Sequence, residues 1–201
     1  TISGLGNQQC ITMTAGENDN LVAGGFFSKN LKFPLINSTI YTSQGKYNGF
    51  ISKWSDEGDM LWIDILPCAV RSEVKDVVVD YFEDYYVLGN YVDSLSFDSI
   101  PTIYGIGKTD VFLAKYSKEG DIQWVESLGG IHDDFAKCMT IRGLRRIVIM
   151  GEFKDELFHK DKNILDARGG DDIFQVTFKD DGRLWFSRKR GLFKNDFIFD
   201  A

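Results

Sequence analysis

The chain has 201 residues, 43% of them apolar and 14% aromatic, enough for a sizeable core and far from the composition of a disordered segment. Its formal charge of -7 argues against a nucleic-acid or anionic-membrane surface, which needs a basic stripe, and reads most simply as solubility. No apolar run approaches the roughly 18–20 residues of a membrane-spanning helix. The opening TISGLGNQQC lacks the basic start and apolar core of a signal peptide, so an exported protein would already have lost its signal.

In chain order, TISGLG is similar to VESLGG at 125–130 and is expected to be the outer strand and exit of a preceding unit. Three units follow, written in one register. Phe50, Phe112 and Phe174 are spaced by 62 residues, as are Asn48, Asp110 and Asp172, then Gly45, Gly107 and Gly169, and then Gly58, Gly120 and Gly182. Trp62 and Trp124 keep the period; Trp185 comes one residue early, which predicts a slip after the turn and leaves Phe186 in register. Gly89 and Gly151, like Leu95 and Leu157, keep the spacing, and Gly24 and Leu31 are displaced by a longer first loop. A fixed period of this length is the signature of a repeat architecture.

Each unit is expected to hold four short strands bounded by turn residues; in the middle unit they are 74–80, 85–92, 110–116 and 122–127. The second and third, YYVLGNYV and VFLAKY, are apolar at most positions, which predicts strands covered on both faces and so stacked sheets. The links SDEGD, SKEGD and KDDGR each carry glycine where a hairpin built on a type I turn needs a left-handed residue. As calcium loops they offer too few ligands. A four-stranded sheet of this size cannot bury both faces alone, so a β-propeller of radially stacked blades is the expected fold. The three Phe and three Trp then read as core between blades, because a carbohydrate platform would have to be exposed.

The three cysteines form no Cys-x-x-Cys pair and indicate neither a disulfide framework nor a zinc knuckle. Cys10 and Cys138 sit in the matching tetrapeptides CITM and CMTI and are expected as small buried apolar residues, while Cys68 falls in a loop.

The middle unit, TDVFLAKYSKEGDIQWVESLGGIHDDFAKCMTI, closely resembles the bacterial seven-bladed propeller repeat family known as SBBP. Asp110, Phe112, Ala114, Lys115, Gly120, Trp124, Gly129, Gly130, Asp133 and Asp134 match the family pattern. The first unit keeps Phe50, Lys53, Gly58 and Trp62 but has LPCAV in place of the double glycine; the third keeps Asp172, Phe174, Gly182 and Trp185, with Thr177 where the family prefers Lys. Phe33-Pro34 is similar to a Phe-Pro between the family's second and third strands. The resemblance implies a bacterial propeller that is secreted, periplasmic or on the cell surface, often within a larger protein. It carries over no catalytic residue and no cofactor.

Blades are expected at 7–67, 70–130 and 132–192, with 193–201 beginning another, because Asn195-Asp196-Phe197 repeats Asp133-Asp134-Phe135. Propellers close with roughly 4–8 blades, so the chain reads as a segment whose ring needs further blades from a parent chain or a second copy. Among the residues that carry chemistry, the only histidines are His132 and His159, and no hydrolase, zinc-protease or phosphate-loop motif occurs. The loop positions Val70, His132 and Lys194, followed by Arg71, Asp133 and Asn195, are chemically mixed and assemble no catalytic pair across units; His132 with Asp133 is a local candidate. The connections 28–46, 93–109 and 154–170 vary while the frame repeats, which places recognition there, with Tyr41, Tyr47, Tyr104 and His159 as contact candidates. The leading expectation is a non-enzymatic binding or scaffolding propeller with a protein or polysaccharide partner and no metal. A glycan hydrolase or lyase with residues on other blades, and a structural spacer, are the alternatives.

Overall fold

The computed structural model describes residues 4–16, 19–32 and 39–190. Fourteen strands among the described residues account for the architecture. The first sheet is an antiparallel meander of β1 (Gln8–Ala15), β2 (Leu21–Phe27), β5 (Asn48–Trp54) and β6 (Met60–Leu66), with a two-stranded ribbon, β3 (Asn30–Lys32) and β4 (Ile40–Thr42), inserted between β2 and β5. The second is built of β7 (Arg71–Val79), β8 (Tyr85–Leu95), β9 (Ile103–Tyr116) and β10 (Ile122–Leu128). The third is built of β11 (Phe135–Ile141), β12 (Arg146–His159), β13 (Lys162–Lys179) and β14 (Leu184–Arg190). Among the described residues no helix is long and apolar enough to cross a membrane.

The three four-stranded sheets stack in chain order, the middle one between its neighbours, and among the described residues they do not close into a ring. Alternation along β8 shows why its apolar run is nearly continuous. Tyr85, Val87 and Tyr91 pack toward the first sheet with Val22, Ile51 and Leu66, whereas Tyr86 and Leu88 pack toward the third with Ile149 and Val176. Both faces of the strand are core, as expected of a sheet covered on each side. Phe50, Phe112 and Phe174 are all buried, each paired across strands with a glycine: Gly25, Gly89 and Gly151. The first-unit partner is thus Gly25 rather than Gly24.

Asn48, Asp110 and Asp172 are buried at the start of the sheet portion of each third strand. Each accepts, through a side-chain oxygen, the N–H of the residue four positions earlier: Gln44 at 2.8 Å, Ile106 at 3.1 Å and Arg168 at 2.8 Å. This column pins the bend where the sheet meets the preceding connection, a local side-chain alternative to ladder pairing.

The connections themselves depart from expectation. In the second and third units, 93–109 and 154–170 are largely not loops, because β8 and β12 continue past the sheet and pair back with β9 and β13, through Leu95 opposite Ile103 and His159 opposite Lys162. Their β-branched and aromatic residues suit a ribbon, and a reading by turn chemistry alone misses the extension. The Phe33-Pro34 pair and the expected strand start at 193–201 lie outside the described residues, and residues 4–7 run as bends beside Ser28 and Asn30 rather than as a strand.

The glycine hairpins are as expected, with φ of 88° at Gly58, 93° at Gly120 and 80° at Gly182. They also serve the stack. The Trp62 indole N–H donates to the Lys118 carbonyl at 3.1 Å, and that of Trp124 to the Asp180 carbonyl at 3.0 Å, so each tryptophan latches onto the next sheet's turn. A methyl group on Gly120 would stand 2.7 Å from the Trp62 ring, whereas one on Gly58 would meet nothing within 4 Å. Gly58→Ala is therefore expected to cost about 1 kcal/mol, from left-handed strain alone, and Gly120→Ala about 2–3 kcal/mol. Equal losses in urea denaturation would remove the latch from the account.

Trp185 differs from its expected role. Phe186 stands opposite Thr177, as Trp62 stands opposite Lys53 and Trp124 opposite Lys115, and Trp185 is the residue passed over at the register shift. Trp185 is 53% exposed and no slip has occurred. The cysteine expectation also fails: Cys10 is exposed, Cys138 half-buried and Cys68 buried. Cys10 pairs with Gly25 as Ala136 pairs with Gly151, so the matched tetrapeptides are out of register by two residues. Cys68 lies with its thiol 3.0 Å from the Arg71 carbonyl and 3.1 Å from that of Val92.

Candidate functional site

Where the chain passes from the second sheet to the third, residues 129–134 cross the rim and run along the β12 arm of the β12–β13 ribbon. Gly129 exchanges backbone hydrogen bonds with Phe158, and the Lys108 N–H donates to the His132 carbonyl at 3.3 Å. Gly107 makes this approach possible, because a side chain there would strike the Gly130 carbonyl. The fully buried Asp134 completes the joint: its carboxylate accepts the Gly130 N–H at 2.6 Å and the Lys154 N–H at 3.1 Å.

A cleft of about 320 Å³ opens beside this joint, lined by Lys108, His132, Asp133, Phe135, Glu152, Phe153, Lys154 and Asp171. His132 and Asp133, neighbours in sequence, face different partners. His132 Nε2 lies 2.7 Å from Asp155 Oδ2, and Asp133 accepts the Thr109 hydroxyl at 2.7 Å with Lys108 Nζ at 3.9 Å. Arg71 extends the chain by donating to Thr109 Oγ1 at 2.8 Å. The local His132–Asp133 pair therefore does not form. Glu152, mostly buried, is held by Lys137 at 3.2 Å. In the middle unit the corresponding place is closed by the entering β11, whose Ala136 N–H donates to Asn90 Oδ1 at 2.8 Å; Glu152 stands where Asn90 would be.

Two carboxyls under this rim are shifted upward. Burial pushes Asp134 up to about 7, against the hydrogen bonds from the Lys154 and Gly130 amides, and the Asp110 and Asp133 charges add to the rise. Burial likewise pushes Asp110 up to about 6, opposed by the Gly107 and Ile106 amides and helped by Asp133. Three carboxyls converge where only part of their charge is compensated, so protonation relieves the joint.

The remaining candidates are not gathered here. Tyr41 lies on β4, packed beside the small core of Phe27, Leu31, Phe50 and Met60, and burial, with the Asp64 carboxylate second, raises its phenol. Tyr104 is 74% exposed on the second ribbon. Tyr47 stacks against Phe26 with ring centroids 4.8 Å apart. His159 differs from its expected role as a surface contact, because it is buried, with Nε2 2.8 Å from Glu126 Oε2 and its ring edge-on to Phe178. Lys160 Nζ reaches the other Glu126 oxygen at 2.7 Å, so the ribbon is clamped onto β10. Glu126, the missed partner, is 33 residues away in sequence, and no local pattern marks it. Among the described residues no group of three or more His, Cys, Asp or Glu could hold a metal ion.

No protein-family model matches the chain, and no curated protein matches it.

Proposed function

We propose that the chain is a non-enzymatic binding and scaffolding module of stacked propeller-type blades, which recognises a partner through the rim that carries the ribbons and the cleft. The observation that carries this reading is how the cleft's charges are used. His132, Asp133 and Glu152 are each engaged by another residue, with Asp155, Thr109 and Lys137 as partners, and this fixes a polar surface in place. Lys108 and Lys154 reach its edge beside the half-buried Phe135, an arrangement of cations, carboxylates and an aromatic side chain suited to a polysaccharide. The resemblance of the repeat adds an exported bacterial setting, secreted, periplasmic or at the cell surface.

The test is calorimetric titration of the full chain with a soluble β-glucan, a galactomannan and polygalacturonate, with products followed by reducing-end assay. Binding to one of them, weakened at least tenfold in Lys108→Ala/Lys154→Ala at unchanged melting temperature and without release of reducing ends, is the expected result. Product release would move the assignment to a glycan hydrolase or lyase. No heat with any of the three would remove the polysaccharide reading of the cleft.

A further inference from the structure

The two ends of the stack are unlike each other, and they fit. On the first sheet, the face that no other sheet covers among the described residues shows Met13 at 63% and Leu21 at 39% exposure. At the same places in the other sheets, Val77 and Met139, and Tyr85 and Ile147, are buried against the preceding sheet. The first sheet's turn at Gly58 likewise lacks the aromatic ring that lies over Gly120 and Gly182. On the third sheet the opposite face shows Phe186, in the latching position, at 46% exposure.

Charge separates the ends further. Arg142, Arg145, Arg146, Arg168, Arg183, Arg188 and Arg190 all lie in the third unit, and Arg71 is the only arginine outside it. Arg142, Arg146 and Arg188 line one groove with Trp185 and Phe186. Neutral groups hold two of these cations. Arg188 donates from Nε and Nη2 to Gln175 Oε1 at 2.9 and 2.6 Å, and the Arg146 guanidinium lies 4.8 Å from the centre of the Trp185 ring. Neither has a carboxylate partner among the described residues. Oriented guanidinium groups without a counter-charge are poised for anionic groups. The turns at the other end carry Asp19, Asp56, Glu57 and Asp59, all exposed.

We propose that the outer face of the third sheet receives the outer face of the first sheet of a second copy, head to tail. Both internal interfaces already have this sense. A trailing aromatic covers the next sheet's turn glycine, and between the first and second sheets a trailing Lys53 meets Glu83 at 3.9 Å. Asp19 holds the place of Glu83 in its turn, both with positive φ, at 56° and 65°. Phe186 then lies over Gly58, and Arg146 and Arg188 meet the Asp19 and Asp56–Asp59 turns. Such a heterologous contact makes a ring if its rotation closes and an open assembly if it does not.

Sedimentation velocity of the full chain over a range of concentrations, at low and at high salt, tests this. The wild type is expected to associate, at least tenfold more weakly at high salt. Arg146→Glu/Arg188→Glu and Asp56→Lys/Glu57→Lys are each expected to be monomeric at an unchanged melting temperature, and an equimolar mixture of the two to associate again. Recovery on mixing is the decisive arm, since neither misfolding nor a general charge effect produces it. A wild type that stays monomeric throughout overturns the proposal. Polyglutamate binding to the wild-type monomer, lost in Arg146→Glu/Arg188→Glu, would make the groove a site for an acidic polymer and overturn it too. Neither outcome touches the lysines of the cleft, so the polysaccharide test stands apart.

Discussion

Replacing Phe112 by alanine is expected to lower the free energy of unfolding by about 3–5 kcal/mol, the range for a large aromatic lost from a close-packed core. The ring is fully buried and packs edge-on to Tyr91 with centroids 6.4 Å apart. It also covers Gly89 in the neighbouring strand, where a methyl group would stand 2.5 Å from two ring atoms and would strike the Glu73 carbonyl. Glycine brings no side chain to fill the space the ring leaves, and sheets on either side prevent collapse. Phe174, over Gly151, repeats the arrangement and the expected loss. Phe186→Ala, on the open face, is expected to cost under about 1 kcal/mol. Urea denaturation of the three variants separates the cases, and a loss below about 1 kcal/mol for Phe112→Ala would show that the phenylalanine column is not the core of the stack.

Asp110→Asn is expected to stabilise the protein at neutral pH and to leave it unchanged or slightly weaker near pH 4. Asp110, Asp134 and Asp64 have pKa values raised from 3.8 to about 6, 7 and 6, in each case chiefly by burial. A carboxyl that holds its proton more tightly when folded contributes stability that is fully present below the unfolded pKa and is lost as pH rises through the folded value. Stability should therefore fall between about pH 4 and pH 7 on account of these groups. The first unit shows what an amide does at the equivalent place. Asn48 keeps the Gln44 N–H through Oδ1, and its Nδ2 donates to the Cys68 carbonyl at 2.9 Å. Asp110 Oδ1 is buried without a hydrogen-bond partner, and Gly130 occupies the position corresponding to Cys68. Asparagine supplies a donor where the carboxylate has none. The expected gain is about 1–3 kcal/mol at pH 7, with a flatter pH profile. Thermal melts at pH 4 and pH 7 decide it, and a downward shift at pH 7 alone would mean that the charge on Asp110 is wanted.

The columns of Phe, Gly and Asn or Asp were legible because each answers a constraint acting on one residue or one turn: a glycine at positive φ, an apolar position covered on both faces, a carboxyl reaching back four residues. What depends on register or on the neighbouring sheet was not. Trp185 sits at the residue passed over where β14 pairs with β13, the place of Leu61 and Gln123 in the other sheets, and the likeness of one tryptophan to another hides this. Cys10 occupies the place of the buried Ala136 and is nevertheless exposed, because no sheet among the described residues covers it. At the rim, spacing singled out His132 and Asp133, which line one cleft. It could not find Asp155 or Thr109 as their partners, since those contacts exist only once the ribbon folds back.

The latch from each tryptophan to the turn of the following sheet has a consequence for how the chain comes apart. Among the described residues cohesion runs between successive sheets, so opening resembles the parting of a short stack of cards more than the melting of one droplet. An end sheet gives up one interface when it detaches, whereas the middle one must give up two. Amide protons of β8 and β9, held on both sides, are then the last to exchange with solvent, and those of β1 and β14 the first. Strain arriving at either end is confined to one joint before it reaches the next.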